Sequence, residues 1–477
     1  MHILTVRDSV GVDHLDEIHV IGGNCLKGSI TVQGSKNTVL PIMAASLLQR
    51  EICVLRGCPR ILDVCYMEEI LHILGVVTWW KGHDLYLDCS KVCGMEIASE
   101  YTGRMRCSVI LLGALLGRNQ RGVIGYPGGC VIGKRPIDLH LYALKSLGAI
   151  ISEKNGKIQA DCKKLKGQEI NFPDRSVGAT EQALLAAVLA EGETVLRNCA
   201  REPEITWLCR FLQKMGARIW HEKEGCIRVQ GVTSLHGTEM LIPADRIVTG
   251  TYLCAAAASR GSVTVENAPE GEMEAFLEVY RKMGGQYEWK SGKLIANGAG
   301  IQFSVPFLET EAYPGFPTDL QSPLLAVLTT VPGISRIREN IFENRFKICS
   351  ELTKMGAHIE VRGSEVKICG SRLMGCRLRA EELRGGAALV IAALAADGES
   401  VIEGVPFIRR GYEDICRDLR YLQAEIYMED ILSVLVNMSS EDTTHYTFLT
   451  DTDHDRVPTG SADGISFNIW HTLHIIF

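Results

Sequence analysis

The sequence predicts a fold of the α/β class, made of six repeated units of helix, strand, helix and strand between about residues 17 and 426. Two recurring sequence marks predict the repeat, and the 477 residues, 46% of them hydrophobic, are enough for several hydrophobic cores. Each helix has an apolar face that it cannot bury alone, so the units must share cores. Periodicity alone allows either an open solenoid or compact groups of units.

The first mark is a glycine that closes a helical pattern. It occurs in the triplets LGV, LGA, MGA, MGG and MGA, at Gly75, Gly148, Gly216, Gly284 and Gly356, with spacings of 73, 68, 68 and 72 residues. A glycine here takes a positive φ, ends the helix and turns the chain into a strand. Gln423 follows Gly356 by 67 residues, and Leu422-Gln423-Ala424 is interpreted as a sixth, degenerate copy.

The second mark is a turn glycine about two dozen residues before each triplet, followed by a β-branched strand. The five instances are Gly122, Gly192, Gly261, Gly333 and Gly398. The first unit has Glu51 at this place, but its Leu55-Arg56-Gly57-Cys58 matches Leu196-Arg197-Asn198-Cys199 of a later unit. Two marks that recur in phase are typical of a repeat and argue against coincidence.

Composition excludes several classes of protein. The net charge of −7 argues against a general nucleic-acid binder, which carries a basic excess. The sequence has no apolar run near 18 residues and no secretory signal at its start, so no membrane association is expected and the predicted location is the cytoplasm. The 17 cysteines include no CxxC pair, which leaves a zinc site unsupported and favours reduced thiols.

Two glycine-containing segments carry candidate chemistry. In GSKNTVLP, Lys36 and Asn37 stand at the start of a helix, where free N–H groups and the helix dipole favour an anion. The alternative is that Asn37 or Thr38 only caps the helix. In PGGCVIGKRPIDL, three glycines surround Cys130, and Arg135 and its neighbouring lysine favour the thiolate; the alternative is a plain connecting turn.

A third candidate is Asp319, in the proline-bracketed loop PGFPTDLQ. It is either a general base or a helix cap. Four arginines occur in distinctive contexts, namely Arg106, Arg345, Arg384 and Arg410. Single arginines are normally surface partners of acids. Together they suit a strongly anionic ligand, because an acidic protein must concentrate positive charge to hold phosphates.

Seven motifs make the chain similar to a known family: GSKNTVLP, PGGCVIGKRPIDL, SVGATE, NCAREPEI, FPTDLQ, FENRF and RRGYE. From about residue 16 to 426 the sequence resembles the enolpyruvyl transferases, specifically those that act on UDP-N-acetylglucosamine. The resemblance implies a two-domain inside-out α/β barrel with six βαβαββ-like repeats, three per domain. The implied domains are residues 1–35 with 244–426, residues 36–243 carrying the cysteine loop, and a tail of unknown structure, 427–477.

The reaction implied by the resemblance transfers the enolpyruvyl group of phosphoenolpyruvate to the 3′-hydroxyl of UDP-N-acetylglucosamine and releases phosphate. In bacteria this is the first committed step of peptidoglycan synthesis. Cys130 matches the family's general acid, the target of fosfomycin; Asp319 matches the base; Lys36 and Arg410 match catalytic phosphoenolpyruvate contacts. The other implied substrate contacts are Asn37, Arg106, Arg135, Pro136, Ile137, Asp138, Leu139, Ser176, Val177, Gly178, Ile341, Arg345 and Arg384. No metal or organic cofactor is implied, and the oligomeric state stays open.

Four positions depart from the family pattern: Val248, Glu382, Phe407 and Arg409. The extra methylene of Glu382, where the family has Asp, is predicted to displace Arg384 by about 1 Å and so to affect turnover. Two alternatives therefore stay open: a catalytically weak UDP-sugar-binding paralogue with a regulatory role, and the sister transferase that acts on shikimate 3-phosphate.

Overall fold

The computed structural model describes residues 16–128 and 132–429, and all statements on structure concern these ranges. They contain 24 strands and 14 α-helices. The strands are β1 Glu17–Ile21, β2 Lys27–Thr31, β3 Ile52–Arg56, β4 Val77–Lys81, β5 Asp84–Asp88, β6 Glu96–Ile97, β7 Arg121–Gly125, β8 Ile150–Lys154, β9 Lys157–Asp161, β10 Glu169–Asn171, β11 Glu193–Arg197, β12 Arg218–Lys223, β13 Cys226–Gln230, β14 Glu239–Leu241, β15 Ser262–Glu266, β16 Gln286–Lys290, β17 Lys293–Asn297, β18 Leu308–Glu309, β19 Ile334–Arg338, β20 His358–Arg362, β21 Glu365–Cys369, β22 Arg377–Arg379, β23 Glu399–Glu403 and β24 Glu425–Glu429.

The helices alternate with these strands along the chain. They are α1 Lys36–Ala45, α2 Leu62–Ile73, α3 Ser99–Thr102, α4 Leu111–Asn119, α5 Asp138–Ser146, α6 Val177–Ala187, α7 Pro203–Lys214, α8 Arg246–Ala258, α9 Glu274–Lys282, α10 Gln321–Leu328, α11 Ile348–Lys354, α12 Leu383–Ala395, α13 Val405–Arg409 and α14 Ile415–Tyr421. Short 3₁₀ turns precede α4, α10 and α11, at Arg106–Ile110, Thr318–Leu320 and Arg345–Lys347.

The described strands form six sheets of four strands, and all six sheets have the same topology. In the sheet β6-β7-β9-β8, the first two strands are parallel and the other two pairs are antiparallel. The same order of parallel and antiparallel pairs recurs in β10-β11-β13-β12, β14-β3-β5-β4, β18-β19-β21-β20, β2-β15-β17-β16 and β22-β23-β1-β24. In the last sheet β1, from the start of the described chain, pairs with β24 from its end. The predicted α/β repeat fold is confirmed.

The helix-ending glycines have the predicted conformation. Their φ values lie between 94° and 101°, a region in which side chains other than glycine are strained. In the sixth unit Gln423 has a φ of 66°, so the degenerate copy makes the same left-handed turn without glycine. At two of the upstream turn marks the left-handed residue precedes the glycine: Gln120 lies two positions before Gly122, and Arg260 lies directly before Gly261.

Each repeat has one helix inside the molecule and one outside. The inner helices are apolar on every side, and all 13 residues of α8 and all eight of α10 are buried. A helix without a polar face can only be stable in a core. The inner helices are α1, α4, α6, α8, α10 and α12. Outer helices such as α7 and α9 have one buried and one polar face.

The buried side chains form two clusters. One contains residues of the ranges 18–32 and 244–426, around α8, α10 and α12, which contact one another. The other contains residues of the range 39–242, around α1, α4 and α6. The division into domains at 35/36 and 243/244 stays a prediction, and these clusters are what supports it. The predicted tail 427–477 overlaps β24 by three residues, and its remainder lies outside the described residues.

Candidate active site

Many of the predicted site residues lie where the inner helices begin. Lys36 and Asn37 open α1, Arg106 opens the 3₁₀ turn before α4, Ser176 to Gly178 open α6, Asp319 lies in the 3₁₀ turn before α10, and Arg384 is in the first turn of α12. The first N–H groups of a helix have no partner within the helix, and the helix dipole is positive at this end. The repeat therefore places several potential anion sites at equivalent positions.

Asp319 is held by three of the predicted residues. Its Oδ1 accepts a hydrogen bond from Nη2 of Arg345 at 2.9 Å, and its Oδ2 lies 3.3 Å from Nη2 of Arg384 and 3.5 Å from Nδ2 of Asn37. The two arginine side chains are almost wholly buried, whereas a quarter of the Asp319 side chain is exposed. Asp319 caps no helix, so the alternative interpretation of this residue is wrong.

The charges around Asp319 decide its protonation state. Burial by itself would raise the pKa of this carboxyl group, but Arg384, Arg345 and Lys36 together lower the pKa well below its ordinary value. Asp319 is therefore ionised at neutral pH and can accept a proton. The same cations make Asp319 a weak base as long as they pair with it, and a substrate anion that binds them would make it more basic.

A second carboxylate, Asp63 near the start of α2, was not predicted from the sequence. Its Oδ2 lies 2.9 Å from Nζ of Lys36, and its Oδ1 accepts a hydrogen bond from Nε of Arg410 at 2.7 Å. Only 2% of its side chain is exposed. Burial by itself would raise the pKa of Asp63, but the charges of Lys36 and Arg410 lower it by more, so the pKa lies below its usual value. Asp63 thus orients two cations predicted to bind phosphoenolpyruvate.

Lys36 is also held through its backbone. Asp245 caps α8 by accepting hydrogen bonds from the N–H groups of Ile247 and Val248 at 2.8 and 3.1 Å, and its other oxygen accepts from the Lys36 N–H at 3.0 Å. At the start of α1 the cap is Ser35, which accepts from Thr38, so neither Asn37 nor Thr38 has the capping role considered above. The Asn37 amide remains available to the site.

Arg106 and Arg135 form a second group of predicted residues around His140. Burial and the Arg135 charge lower the pKa of Arg106 to about 10. Burial, followed by Arg106 and Arg135, lowers the pKa of His140 to about 3, so this imidazole is neutral. Among the described residues no carboxylate forms an ion pair with Arg106. Unbalanced positive charge here suits a diphosphate.

The start of α6 completes this second group. Ser176 caps the helix by accepting a hydrogen bond from the Ala179 N–H at 3.3 Å. A Cβ atom at Gly178 would lie 2.7 Å from the imidazole of His140, so only glycine allows the ring and the helix to approach so closely. The predicted stretch Pro136 to Leu139 leads into and opens α5, the helix that carries His140.

The residues that follow the cysteine in its loop, from Ile132 to Arg135, contact the segment before Arg345. The Asn344 N–H donates to the Ile132 carbonyl at 2.9 Å, and the Lys134 N–H donates to Glu343 at 3.3 Å. Arg135 packs against the Phe342 ring, with Cζ 5.2 Å from the ring centroid. Cys130 itself lies outside the described residues, so its role stays a prediction.

Buried Glu339 holds the predicted contact Ile341. It accepts hydrogen bonds from the N–H groups of Ile341 and Phe342 at 2.8 and 3.2 Å, and from the hydroxyl of Thr318 at 3.0 Å. Glu339 therefore connects the Ile341 turn to the loop that carries Asp319. No local sequence pattern marks this role of Glu339, because Thr318, which connects it to the Asp319 loop, lies 21 positions earlier in the chain.

Two of the four departures from the family pattern, Glu382 and Arg409, have polar partners in the structure. Glu382 caps α12 by accepting from the N–H groups of Arg384, at 2.8 Å, and Gly385. Arg384 still reaches Asp319. Arg409 pairs with Asp16 at 3.0 Å. Val248 is buried in α8, and Phe407 is half-buried in α13.

A family model described as EPSP synthase (3-phosphoshikimate 1-carboxyvinyltransferase) matches residues 20–419. The chain belongs to this family of enolpyruvyl transferases. It is 44% identical to a UDP-N-acetylglucosamine 1-carboxyvinyltransferase 2 of Caldanaerobacter subterraneus, over 86% of this chain and 99% of that protein. It is 41% identical to a UDP-N-acetylglucosamine 1-carboxyvinyltransferase of Paramagnetospirillum magneticum, over 86% and 98%.

Solved structures agree with the fold. The enolpyruvyl transferase NikO from Streptomyces tendae superposes with a TM-score of 0.78 at 23% identity, over 87% of this chain and 98% of that one. The predicted family resemblance is confirmed by these matches and by the family model. In the described part of the chain, no helix has the length and hydrophobicity needed to cross a membrane.

Proposed function

We propose that this chain transfers the enolpyruvyl group of phosphoenolpyruvate to the 3′-hydroxyl of UDP-N-acetylglucosamine and releases phosphate. The observation that carries the proposal is the ionised Asp319, bound by Arg345 and Arg384 and connected through Asn37 and Lys36 to Asp63 and Arg410. This network concentrates cations around one accessible carboxylate. Relatives with 38–44% identity are named UDP-N-acetylglucosamine 1-carboxyvinyltransferases, which supports the sugar-nucleotide substrate.

The substrates' charges suggest how the network would be used. Lys36, Arg135 and Arg410 would bind the phosphate and carboxylate of phosphoenolpyruvate. The Arg106 and Ser176–Gly178 group would bind the diphosphate of the sugar nucleotide. Each anionic substrate would compete with Asp63 or Asp319 for arginine contacts, which would make Asp319 more basic as the site fills.

The proposed reaction is an addition followed by an elimination. The Cys130 thiol donates a proton to the CH2 carbon of phosphoenolpyruvate, while Asp319 takes the proton from the sugar 3′-hydroxyl and the hydroxyl oxygen bonds to the adjacent carbon. In the second step the Cys130 thiolate takes a proton from the new CH3 group, the bond to the phosphate oxygen breaks, and the leaving phosphate takes the proton held by Asp319. The products are the enolpyruvyl ether and inorganic phosphate, and the location we infer is the bacterial cytoplasm.

A phosphate-release assay tests the proposal. With phosphoenolpyruvate and UDP-N-acetylglucosamine we expect release, and with shikimate 3-phosphate none. Release from phosphoenolpyruvate with shikimate 3-phosphate, but not with UDP-N-acetylglucosamine, would identify the sister transferase. Binding of UDP-N-acetylglucosamine without any release would identify the catalytically weak paralogue.

A matched pair of variants connects the activity to the site. Arg345→Lys should lower kcat/KM at least about tenfold, because lysine cannot reproduce the guanidinium geometry at Asp319. Arg372→Lys, at an exposed arginine that pairs with Asp397, is the control and should leave kcat/KM unchanged. Equal values for both variants would contradict the assignment of Arg345.

A further inference from the structure

The sheet β22-β23-β1-β24 carries a group of polar side chains on the face opposite to buried Ile18 and Ile426. Glu17 and His19 of β1 face Glu429 and Tyr427 of β24, directly opposite in the antiparallel register. Glu399 of β23 lies beside them. Like charges directly opposite each other destabilise a strand pair, and Arg377 pairs with only one of the two carboxylate oxygens of Glu17.

His19 lies at the centre of this group. Its Nδ1 lies 2.8 Å from Oε1 of Glu399, and its ring stacks on Tyr427 with centroids 4.7 Å apart and planes 9° apart. An ionised carboxylate can only accept a hydrogen bond, so Nδ1 carries the proton. These two contacts fix both the tautomer and the orientation of the ring.

The other ring nitrogen is directed at two carboxylates. Nε2 lies 3.1 Å from Oε2 of Glu429 and 3.9 Å from Oε2 of Glu17, yet this buried atom makes no hydrogen bond. A proton on Nε2 would have no well-aligned acceptor. Without that proton, three atoms with lone pairs converge, an arrangement that favours a cation between them.

We propose that Glu17, His19 and Glu429 bind a divalent transition-metal ion of the Zn²⁺ type. The three ligand atoms lie within 4.8 Å of one another. A tetrahedral zinc with bonds of about 2.0–2.2 Å holds its ligand atoms roughly 3.4 Å apart, so only small side-chain shifts are needed. Imidazole nitrogens and carboxylate oxygens are both zinc ligands, and water can take the fourth position.

Glu399 has the position of a supporting residue. Histidines that bind metals usually donate their other N–H to a carboxylate, which orients the ring and increases its basicity. Arg377 occupies Oε1 of Glu17 and leaves Oε2 directed at His19. The ion would connect the first and last strands of the repeat array. Because the site contains no cysteine, the spacing of cysteines in the sequence could not indicate it.

The test measures Zn²⁺ bound to the full chain by equilibrium dialysis and metal analysis, with folding checked by circular dichroism. His19→Gln and Glu429→Gln should each bind one equivalent less than the wild type. Glu399→Gln should keep the site with about 10–100-fold weaker affinity. The matched control is Glu425→Gln, which removes the same charge from β24, on the same face but away from His19.

The comparison of variants is needed because other cysteines and histidines bind zinc nonspecifically. Zn²⁺ should also raise the melting temperature of the wild type and of Glu425→Gln, but not that of His19→Gln. Equal zinc binding by the wild type and Glu429→Gln would overturn the proposal. So would an equal loss in Glu425→Gln, which would indicate only diffuse electrostatic attraction. Neither result depends on enolpyruvyl transfer.

Discussion

Asp63 and Asp319 have similar partners and different exposure. Each carboxylate binds two cationic side chains, Lys36 and Arg410 for Asp63, and Arg345 and Arg384 for Asp319. Asp63 is nearly inaccessible, whereas a quarter of Asp319 is exposed. A carboxylate that a substrate cannot reach can only orient its partners, and one that it can reach is able to take part in proton transfer. The comparison therefore separates a positioning residue from a candidate catalytic residue.

The largest expected effect is at Asp319. Asp319→Ala should lower turnover by about 10² or more, because the proposed base for the sugar hydroxyl is lost, while binding of UDP-N-acetylglucosamine should change little. Steady-state phosphate release gives turnover, and calorimetric titration gives binding. Near-normal turnover in this variant would remove Asp319 from the mechanism.

Asp63→Asn should have a smaller effect of a different kind. We expect the KM for phosphoenolpyruvate to rise about tenfold with a smaller change in kcat, because Lys36 and Arg410 lose their shared anchor. Removing one member of a buried ion pair also costs about 3–5 kcal/mol of stability, which thermal unfolding would show. The control is Asp84→Asn, at a more exposed partner of Arg56. A fall in kcat alone would contradict the positioning role.

Lowering the pH should reduce the difference in the free energy of unfolding between the wild type and Asp63→Asn. The folded-state pKa of Asp63 is lowered, so its stabilising contribution is fully present above the unfolded pKa of about 3.9 and is lost as pH falls through the lower folded pKa. Urea unfolding at a series of pH values from 7 down to 3 measures this difference. A difference that stays constant below pH 4 would show that the Asp63 charge does not stabilise the fold.

The smallest effect is expected at Glu382. Glu382→Asp should change kcat/KM by less than about threefold, which corresponds to about 0.7 kcal/mol, because Glu382 already caps α12 and Arg384 already contacts Asp319. The same assay measures this value. An increase of tenfold or more would show that the longer side chain misplaces Arg384, as the sequence comparison suggested.

Local features of the sequence were enough to predict the repeat. A glycine after an apolar helix, followed by a strand, needs only a few neighbouring residues to specify its turn, and even Gln423 adopts the predicted left-handed conformation. Family motifs also pointed to Lys36, Asn37, Asp319, Arg345 and Arg384, which the structure brings together. Their roles in catalysis stay predictions until the variants are measured.

The roles of Asp63, Asp245 and Glu339 at the site could not be predicted, because the partners that connect them to it are far away in the chain. Asp63 lies 347 positions from Arg410, and Asp245 lies 209 positions from Lys36. An aspartate near a helix start is common in sequences, and only its burial against a distant cation distinguishes it.

Short sequence patterns thus specify the repeated helices and strands and supply the residue types that bind anions. Which carboxylate shares which cation depends on the fold, and so does the position of His19 between Glu17 and Glu429 on β1 and β24. The physical reason is that backbone turns depend on neighbours in sequence, whereas desolvation and charge pairing depend on neighbours in space.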